Sequence, residues 1–571
     1  MENAQVADIF DEIADLIELQ GGNAFRIRSY RNAARTVRDL SQRLEDLAAA
    51  GANFADLANV GKSTAGKIQE ILDTGTCERL KELRAELPDG LPELMQVPQI
   101  GPRKAMQLYE ELGVSSLEEL KAAAEGGNIR DLDGMGEKTE ENILRGLAML
   151  ASSEGRFLYH AAADHVAALG RFLDGVNGVT RWEVAGSFRR RKETVGDLDV
   201  LIHAGDRDAA REAILAYDRI DRVASRGREK STVYLSGGLQ VDFRFFEPAA
   251  FGAALMYFTG SKDHNIALRR RAQSHDWKLN EYGLFSGDKR LAGKDERSVY
   301  SRLNLPWIAP ELREARGEID AADGGELPAL IEASDVRGDL QCHTTASDGT
   351  ASIAEMAAAA RERGYQFLAI TDHSQRVTVA NGLDAGRMRK HADAIREVDA
   401  DLDGFWLLAG VEVDILKDGS LDLPEDLLAE LDWVVASIHY DRAMSEAKMT
   451  ERLLAAVRSG VVHTLGHPLG RIIGRREPLA FDADKVFAAC AGCGVRVEIN
   501  AQADRLDLPD TYVRRAKDAG VGFTFGTDAH KTGGLALMPL AVNVARRGWL
   551  TKADVLNTRT AKQLKKDLKR S

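Results

Sequence analysis

The stretch GDLDVLI, at residues 196–202, places two aspartates one residue apart in an otherwise apolar run. Side chains two residues apart on a β-strand leave the same face, so Asp197 and Asp199 are expected to converge. Two unpaired carboxylates at one point would repel each other, and a divalent cation would remove that repulsion. The stretch therefore predicts a strand that carries a metal site.

The sequence on both sides of this strand adds to the site. Upstream, GSFRRRKETV begins with a Gly186–Ser187 turn and continues into a basic run. Downstream, STVYLSGGLQVDFRFFE reads as two strands of a hairpin joined through Ser236–Gly238, and it puts a third carboxylate, Asp242, on a strand. Three convergent carboxylates are what a two-metal phosphoryl-transfer site needs, and Ser187 and Arg190 could hold a triphosphate.

A third stretch, MYFTGSKDHNIALRRRA, follows at residues 256–272. It contains an aromatic pair, a glycine turn, and then Asn265 and Arg269 four residues apart on one helix face. An aromatic floor with an amide donor suits a sugar and a base edge, and the arginine could meet a template strand.

Residues 1–150 read as short helices punctuated by glycines. Three punctuations resemble each other, at Gly61, Gly101 and Gly136, and each leads into a helix that opens with polar residues. Such a turn presents unpaired backbone N–H groups and a positive dipole end, which suits a phosphate. The pattern resembles the helix-hairpin-helix motif; the alternative is a tight αα-corner in a helical bundle.

After residue 334, short apolar runs alternate with helical stretches, which predicts a barrel of parallel strands. Histidines and acids follow several of these runs, and the carboxyl ends of parallel barrel strands open onto one face. Imidazole with carboxylate suits Zn²⁺, Mn²⁺ or Fe²⁺. The candidate ligands are His343, Asp348, His373, Glu412, His439, His467, Asp528 and His530.

Composition limits the class of protein. The chain has 571 residues, a formal net charge of −13 and four cysteines, and it has no basic leader or long apolar stretch. We therefore expect several domains, no disulfide framework and a cytoplasmic protein. With that charge, binding to DNA would depend on local basic clusters, such as Arg189–Lys192, Arg226–Lys230 and Arg269–Arg271. Cys490 and Cys493 are interpreted as packing residues of a helix end, not as half of a zinc site.

Residues 1–317 resemble the family X DNA polymerases, the beta-type repair enzymes, through GSFRRRxETxGDxDVL and YFTGS. The resemblance implies gap filling in DNA repair, such as base excision repair, with two Mg²⁺ or Mn²⁺ ions on Asp197, Asp199 and Asp242. It implies that the nucleotide is bound by Gly186, Ser187, Arg190, Gly196, Tyr257, Phe258, Gly260 and Asn265, and that Arg269 meets the template.

In the same family the N-terminal helical domain binds the 5′-phosphate of gapped DNA. AFRIRSYRNAARTV fits the pattern of that domain, which implies phosphate contacts at Arg26 and Tyr30, with Arg28 as a further candidate. The three glycine turns add expected DNA contacts at Gly61, Gly101 and Gly136. Some members carry a lyase lysine, here Lys67 by position, that forms a Schiff base with an abasic sugar. Ser63 stands where relatives often have lysine, so a plain phosphate contact by Lys67 is the alternative.

The C-terminal region resembles the PHP (polymerase and histidinol phosphatase) domain, a distorted seven-stranded βα barrel with up to three Mn²⁺ or Zn²⁺ ions. The resemblance implies three ligand groups: His343 with Glu412 and Asp528; Glu412 with His439 and His467; Asp348 with His373 and His530. The family usually begins with His-x-His, whereas this chain has Gln341, a poorer ligand. The expected activity is a metal-dependent 3′→5′ exonuclease or abasic-site endonuclease.

The predicted fold is therefore multidomain, with all-α helix-hairpin-helix domains, an α+β nucleotidyltransferase palm and an α/β PHP barrel. The expected division is 1–85 (5′-phosphate-binding, lyase-like), 86–150 (helix-hairpin-helix), 151–250 (palm), 251–317 (nucleotide-binding subdomain), 318–334 (linker) and 335–571 (PHP). We expect a nucleoid-associated monomer that acts on gapped or primer-template DNA and deoxynucleoside triphosphates. The alternatives are a small-molecule nucleotidyltransferase and phosphatase, or a DNA-end scaffold whose PHP domain is structural.

Overall fold

The computed structural model describes residues 3–38, 40, 44–57, 60–88, 90–95, 97, 100–153 and 155–568. Parts of the first two predicted glycine turns, at residues 58–59, 96 and 98–99, lie outside the described residues. The chain divides into two compact units: residues 1–154 with 473–477, and residues 155–472 with 478–571. None of the helices in the described part of the chain is both long and apolar enough to cross a membrane.

The first unit is helical and has two hydrophobic cores. One core gathers side chains such as Phe10, Val37 and Ile68, and the other gathers Leu91, Leu108 and Ile143. The helices are α1 (Asn3–Leu19), α2 (Ala24–Arg38), α3 (Leu44–Ala49), α4 (Lys62–Thr74), α5 (Glu78–Glu86), α6 (Leu91–Leu94), α7 (Pro102–Leu112), α8 (Leu117–Glu125) and α9 (Glu137–Ser153).

The second unit begins with a five-stranded mixed sheet in the order β2-β4-β7-β6-β5. Only β4 and β7 pair in parallel within it; β6 and β7 form the antiparallel hairpin that was predicted across Ser236–Gly238. The helices and strands of this region are β1 (Phe157–Leu158), α10 (Tyr159–Leu173), β2 (Val179–Val184), α11 (Gly186–Arg189), β3 (Thr194–Val195), β4 (Asp197–Ala204), α12 (Arg207–Leu215), β5 (Ile220–Arg226), β6 (Lys230–Leu235) and β7 (Gln240–Phe245).

A small α+β region follows, with a three-stranded antiparallel sheet in the order β10-β9-β8. It comprises α13 (Phe251–Thr259), α14 (Lys262–Gln273), β8 (Lys278–Asn280), β9 (Gly283–Ser286), β10 (Lys289–Ala292), α15 (Glu296–Arg302) and α16 (Glu318–Asp323). The segment 318–334, expected to be a linker, contains α16 and packs closely. Glu318 is fully buried and lies 2.6 Å from His264 Nδ1, and Leu330 forms a bridge with Thr551.

The remainder is a nearly closed barrel of seven parallel strands in chain order, as predicted. A parallel bridge between Cys342 and Ala529 joins the region after the last strand to the first strand. Its elements are β11 (Gly338–Cys342), α17 (Ile353–Glu362), β12 (Phe367–Ile370), α18 (Ala385–Ala400), β13 (Trp406–Asp414), α19 (Glu425–Ala429), β14 (Trp433–Ser437), α20 (Glu446–Val457), β15 (Thr464–Leu465), α21 (Ala483–Cys493), β16 (Arg496–Asn500), α22 (Asp510–Asp518), β17 (Phe523–Gly526), α23 (Met538–Arg547) and α24 (Ala561–Leu568).

Candidate active sites

The three aspartates predicted from the sequence lie on the two central parallel strands. Asp199 on β4 is in register with Asp242 on β7, and Asp197 precedes Asp199 by two residues on the same strand. Burial raises the pKa of Asp199 even though Arg244 opposes the rise, and the charges of Asp197 and Asp242 add to it. Three carboxylates on two paired strands form a donor set that fits hard divalent cations such as Mg²⁺ and Mn²⁺.

Two cationic side chains compensate this negative charge. Arg244 donates from Nε to Asp199 Oδ1 over 2.9 Å and from Nη2 to Asp242 Oδ2 over 3.1 Å. Lys230 Nζ lies 2.5 Å from the same Asp242 oxygen. The guanidinium of Arg244 also lies 4.3 Å from the ring centroid of Phe258, so it connects the carboxylates with the predicted nucleotide pocket.

A cavity of about 520 Å³ opens beside Asp197 and Asp199. Its wall contains every residue that was predicted to bind the nucleotide, together with Arg269. Five cationic side chains line it, which suits a triphosphate: Arg156, Arg190, Lys192, Lys262 and Arg269.

Asn265 shows one feature of an incomplete polar site. Its side-chain nitrogen donates to Tyr257 O over 2.7 Å, whereas its buried Oδ1 meets no donor within the described part of the chain. Because a buried polar atom without a partner is costly, this oxygen is suited to a ligand.

Arg156, Lys192 and Lys262 line the cavity but were not predicted as site residues. Lys192 belongs to the basic run Arg189–Lys192, but the sequence of that run does not show which of its side chains face the cavity. Arg156 lies 41 residues before Asp197, the first residue of β4, and belongs to no motif. It donates to Thr194 Oγ1 over 2.9 Å and to Thr194 O over 2.8 Å. Only the folding of β1 against β3 brings it beside Gly196.

The basic run at Arg189–Lys192 is largely engaged within the protein. Each of its three arginines pairs with a different acid of the following region: Arg189 with Glu296 at 2.8 Å, Arg190 with Glu314 at 3.0 Å and Arg191 with Glu311 at 3.0 Å. These arginines therefore hold the fold together and are not a free surface for DNA.

The candidate DNA contacts of the first unit are exposed or half-buried. Arg26, Arg28, Gly61, Gly101 and Gly136 are exposed. Lys67 Nζ donates to Ser63 Oγ over 3.0 Å and lies 6.0 Å from the ring centroid of Tyr30, so these two predicted residues are neighbours.

The three glycine turns differ in charge. Gly61 and Gly101 are the N-caps of α4 and α7, whose first turns contain no acidic residue. Gly136 precedes α9, whose first turn contains Glu137 and Glu140. Glu140 is buried and accepts from the backbone N–H groups of Ile129 and Arg130, each over 3.1 Å. The third turn is therefore stabilised by the carboxylate of Glu140, and of the three turns it is the least suited to bind a phosphate.

In the barrel, the predicted ligands come together after the strands. His343 Nε2 lies 3.1 Å from Asp528 Oδ1 and 3.4 Å from Glu412 Oε2, which matches the first expected group. The third group, Asp348 with His373 and His530, also forms, and His343 joins it. Ligand atoms within each group lie within 4.8 Å of one another.

The second group differs in one member. Glu412 clusters with His439 and His373, whereas the expected group had His467 in place of His373. His467 is nevertheless adjacent, because its Nε2 lies 2.8 Å from Glu412 Oε1. Glu412 is thus the shared centre of the site, and burial, which would raise its pKa, is outweighed by His373, His439 and His467, which lower it.

An acid that was not predicted orients one of the ligand histidines. Asp414 Oδ1 lies 3.1 Å from His439 Nδ1, which leaves His439 Nε2 directed at Glu412. Such partners fix the ring orientation and the tautomer of a metal ligand.

Gln341 occupies the place of the missing histidine and is fully buried. With its amide oriented to satisfy its neighbours, its nitrogen donates to Glu498. Glu498 was also missed, although its setting in VRVEIN parallels that of Glu412 in GVEVD. Burial, together with the charges of Asp528 and Glu412, raises the pKa of Glu498 well above its usual value. The first ligand group is therefore flanked by an amide–carboxyl pair.

Comparisons with known proteins agree with this architecture. Residues 1–77 match the helix-hairpin-helix domain, 91–149 the SAM-like helix-hairpin-helix tandem, 254–314 the DNA polymerase beta thumb and 339–500 the PHP domain. These matches confirm the helix-hairpin-helix and PHP predictions and exclude the simple αα-corner.

Relatives cover either the whole chain or one part of it. The chain is 37% identical to the DNA polymerase/3′-5′ exonuclease PolX of Bacillus subtilis over the full length of both proteins. It is 25% identical to DNA polymerase lambda of Arabidopsis thaliana over 54% of this chain and 62% of that protein. A probable phosphatase of Thermoanaerobacter sp. is 30% identical over 39% of this chain and 91% of that protein. The chain therefore belongs to the PolX family, the family X DNA polymerases that carry a PHP domain.

Proposed function

We propose that this protein is a DNA-directed DNA polymerase that fills short gaps and trims 3′ ends with its PHP domain. The carrying observation is the placement of Asp197, Asp199 and Asp242 on two paired parallel strands, next to a cavity that Asp197 and Asp199 line together with five cationic side chains. Full-length similarity to a DNA polymerase/3′-5′ exonuclease supports it. The probable phosphatase aligns with only the PHP part of the chain, so a small-molecule phosphatase function would not account for the polymerase part.

In the polymerase reaction, the cationic wall would hold the triphosphate and the Tyr257–Phe258 pair would face the sugar. Asp242, held by Thr232 Oγ1 at 2.7 Å, would accept the proton of the primer 3′-hydroxyl. Two Mg²⁺ or Mn²⁺ ions on the three aspartates would supply charge neutralisation for the attacking and leaving oxygens. Arg244 and Lys230 would have to release the carboxylates when those ions bind.

In the PHP reaction, the histidines and acids around Glu412 would hold up to three Mn²⁺ or Zn²⁺ ions, which supply an activated water for attack on a phosphodiester. Asp414 would keep the His439 ring in place. Gln341 makes the first ligand group the weakest. Abasic-site incision by the same centre, 5′-phosphate binding by Arg26 and Tyr30, and lyase chemistry at Lys67 remain predictions.

The location and assembly state belong to the same proposal. The four cysteines are free, and three of them are buried, which suits a reducing cytoplasm. We propose a monomer associated with the nucleoid through gapped or primer-template DNA.

Two assays on matched variants test the proposal. Asp197→Ala should abolish primer extension on a one-nucleotide gap with a 5′-phosphate and spare 3′-end trimming. Asp528→Asn should do the reverse. Substitution of the exposed Asp221 or Asp403 with asparagine provides controls of the same charge change in each part. Parent protein that neither extends a primer nor trims it would refute the proposal.

A further inference from the structure

Arg547 ends α23 in the barrel part of the chain, yet its side chain reaches the polymerase part. It is almost fully buried, with 4% of the side chain exposed. Its Nη1 donates to the backbone oxygen of Arg190 over 2.6 Å and to Glu314 Oε1 over 2.9 Å, and its Nη2 donates to Asp510 Oδ2 over 2.6 Å. Through this guanidinium, α23 of the barrel contacts Arg190, which lines the nucleotide cavity.

Arg190 lines that cavity and shares one partner, Glu314, with Arg547. Its Nε donates to Glu314 Oε1 over 3.0 Å, the oxygen that Arg547 also contacts, and its Nη1 donates to Thr259 O over 2.5 Å. Arg547 thus holds both ends of Arg190: the main chain through its carbonyl, and the side chain through Glu314.

The charges explain why this arrangement matters for an anionic ligand. Burial would raise the pKa of Glu314, but Arg547 and Arg190 outweigh burial and lower it, so the carboxylate is ionised. If the Glu314 carboxylate were paired with Arg190 alone, it would cancel the positive charge that Arg190 presents to the cavity. Glu314 and Asp510 are shared among the guanidiniums of Arg190, Arg547 and Arg316, so the cluster fixes Arg190 in place and keeps a net positive charge.

We propose that Arg547 is a positioning residue for nucleotide binding at the polymerase site, acting through Arg190 and Glu314. The proposal rests on the proposed role of Arg190 in holding the triphosphate. It assigns to the PHP part of the chain a contribution to the polymerase reaction that is separate from its own chemistry.

The test compares Arg547→Ala with Arg546→Ala. Arg546 is the preceding residue of α23 and is also buried in ion pairs, to Glu311 at 2.9 Å and Glu332 at 2.6 Å. Its ion pairs do not involve Arg190 or Glu314. For Arg547→Ala we expect KM for the incoming dNTP to rise about tenfold with kcat changed less than about twofold. Arg546→Ala should leave KM unchanged, and both variants should keep 3′-end trimming.

A double-mutant cycle distinguishes action through Arg190 from general loosening. The readout is the dissociation constant of the dNTP on a dideoxy-terminated gapped DNA, which needs no turnover. In the Arg190→Ala background, Arg547→Ala should weaken binding by less than about twofold, because its effect passes through the missing residue. Equal, additive losses in both backgrounds would overturn the proposal, and so would equal KM changes in Arg546→Ala and Arg547→Ala.

Arg547→Lys covers the case in which the alanine variant does not fold. Lysine keeps the charge but cannot span Arg190 O, Glu314 and Asp510 from two nitrogens, so an intermediate KM is expected; a KM equal to that of the parent protein would overturn the proposal. Parent protein that fails to extend primers would instead refute the polymerase function. Normal extension with an unchanged KM in Arg547→Ala would refute only the role of Arg547.

Discussion

Arg244 Nε lies 2.9 Å from Asp199 Oδ1, so a guanidinium occupies one of the carboxylate oxygens that divalent cations would need. The same side chain also reaches Asp242. A cation entering this site must displace Arg244 from Asp199. The Arg244 side chain is largely buried, with 21% of it exposed.

We therefore expect Arg244→Ala to bind Mn²⁺ several-fold more tightly, because the aspartates lose a competing positive charge. Direct titration of free Mn²⁺ by electron paramagnetic resonance measures this change. Arg226→Ala, which removes an exposed arginine from β5, is the control and should not differ from the parent protein. Weaker Mn²⁺ binding by Arg244→Ala would show that the arginine organises the aspartates rather than competing for them.

The second prediction concerns Asp414, which touches His439 but none of the other predicted ligands. Asp414→Asn should slow 3′-end trimming about 10- to 100-fold and lower the metal content of the protein, because His439 loses the partner that fixes its ring. Primer extension should continue at the rate of the parent protein. Asp418→Asn, an exposed change on the following turn, is the control; trimming at full rate by Asp414→Asn would exclude the orienting role.

The sequence predicted the residues that a local pattern marks. The two-residue period of a strand was enough for Asp197 and Asp199, and the strand-end rule of parallel barrels was enough for most histidines. Arg156 and Glu314 could not be found in this way, because only tertiary packing brings Arg156 to the cavity and Glu314 to Arg190. Composition alone predicts a linker at the acidic segment 318–334, since nothing local shows that Glu318 meets His264 inside the protein.

The third prediction restores the ligand that this chain lacks. Gln341→His should raise the metal content of the purified protein, because an imidazole beside His343 is a better ligand than a buried amide. Elemental analysis after dialysis measures it, with Gln502→His, a change outside the predicted ligand set, as the control. An unchanged metal content would indicate that the Gln341–Glu498 pair, not the amide alone, determines what the first ligand group can hold.

The last prediction concerns stability. Glu296 is buried, and it accepts from Arg189 over 2.8 Å, from the fully buried Arg313 over 2.7 Å and from Trp307 Nε1 over 2.9 Å. Burial opposes its ionisation, but Arg313 and Arg189 outweigh burial and hold its pKa far below the usual 4.5. Glu296→Gln leaves Arg313 without its anionic partner, so we expect it to lower the free energy of unfolding by about 3–5 kcal/mol near neutral pH.

The pH dependence of that loss follows from the direction of the shift. Because the folded-state pKa of Glu296 is depressed, its contribution is fully present above about pH 4.5 and declines as the pH falls below that value. Urea unfolding of the parent protein and Glu296→Gln should therefore differ most at pH 7 and less at pH 4. Glu247→Gln, which removes an exposed partner of Arg207, should change stability by less than about 1 kcal/mol. A Glu296→Gln difference that is constant between pH 7 and pH 4 would show that lost packing, not charge, destabilises the variant.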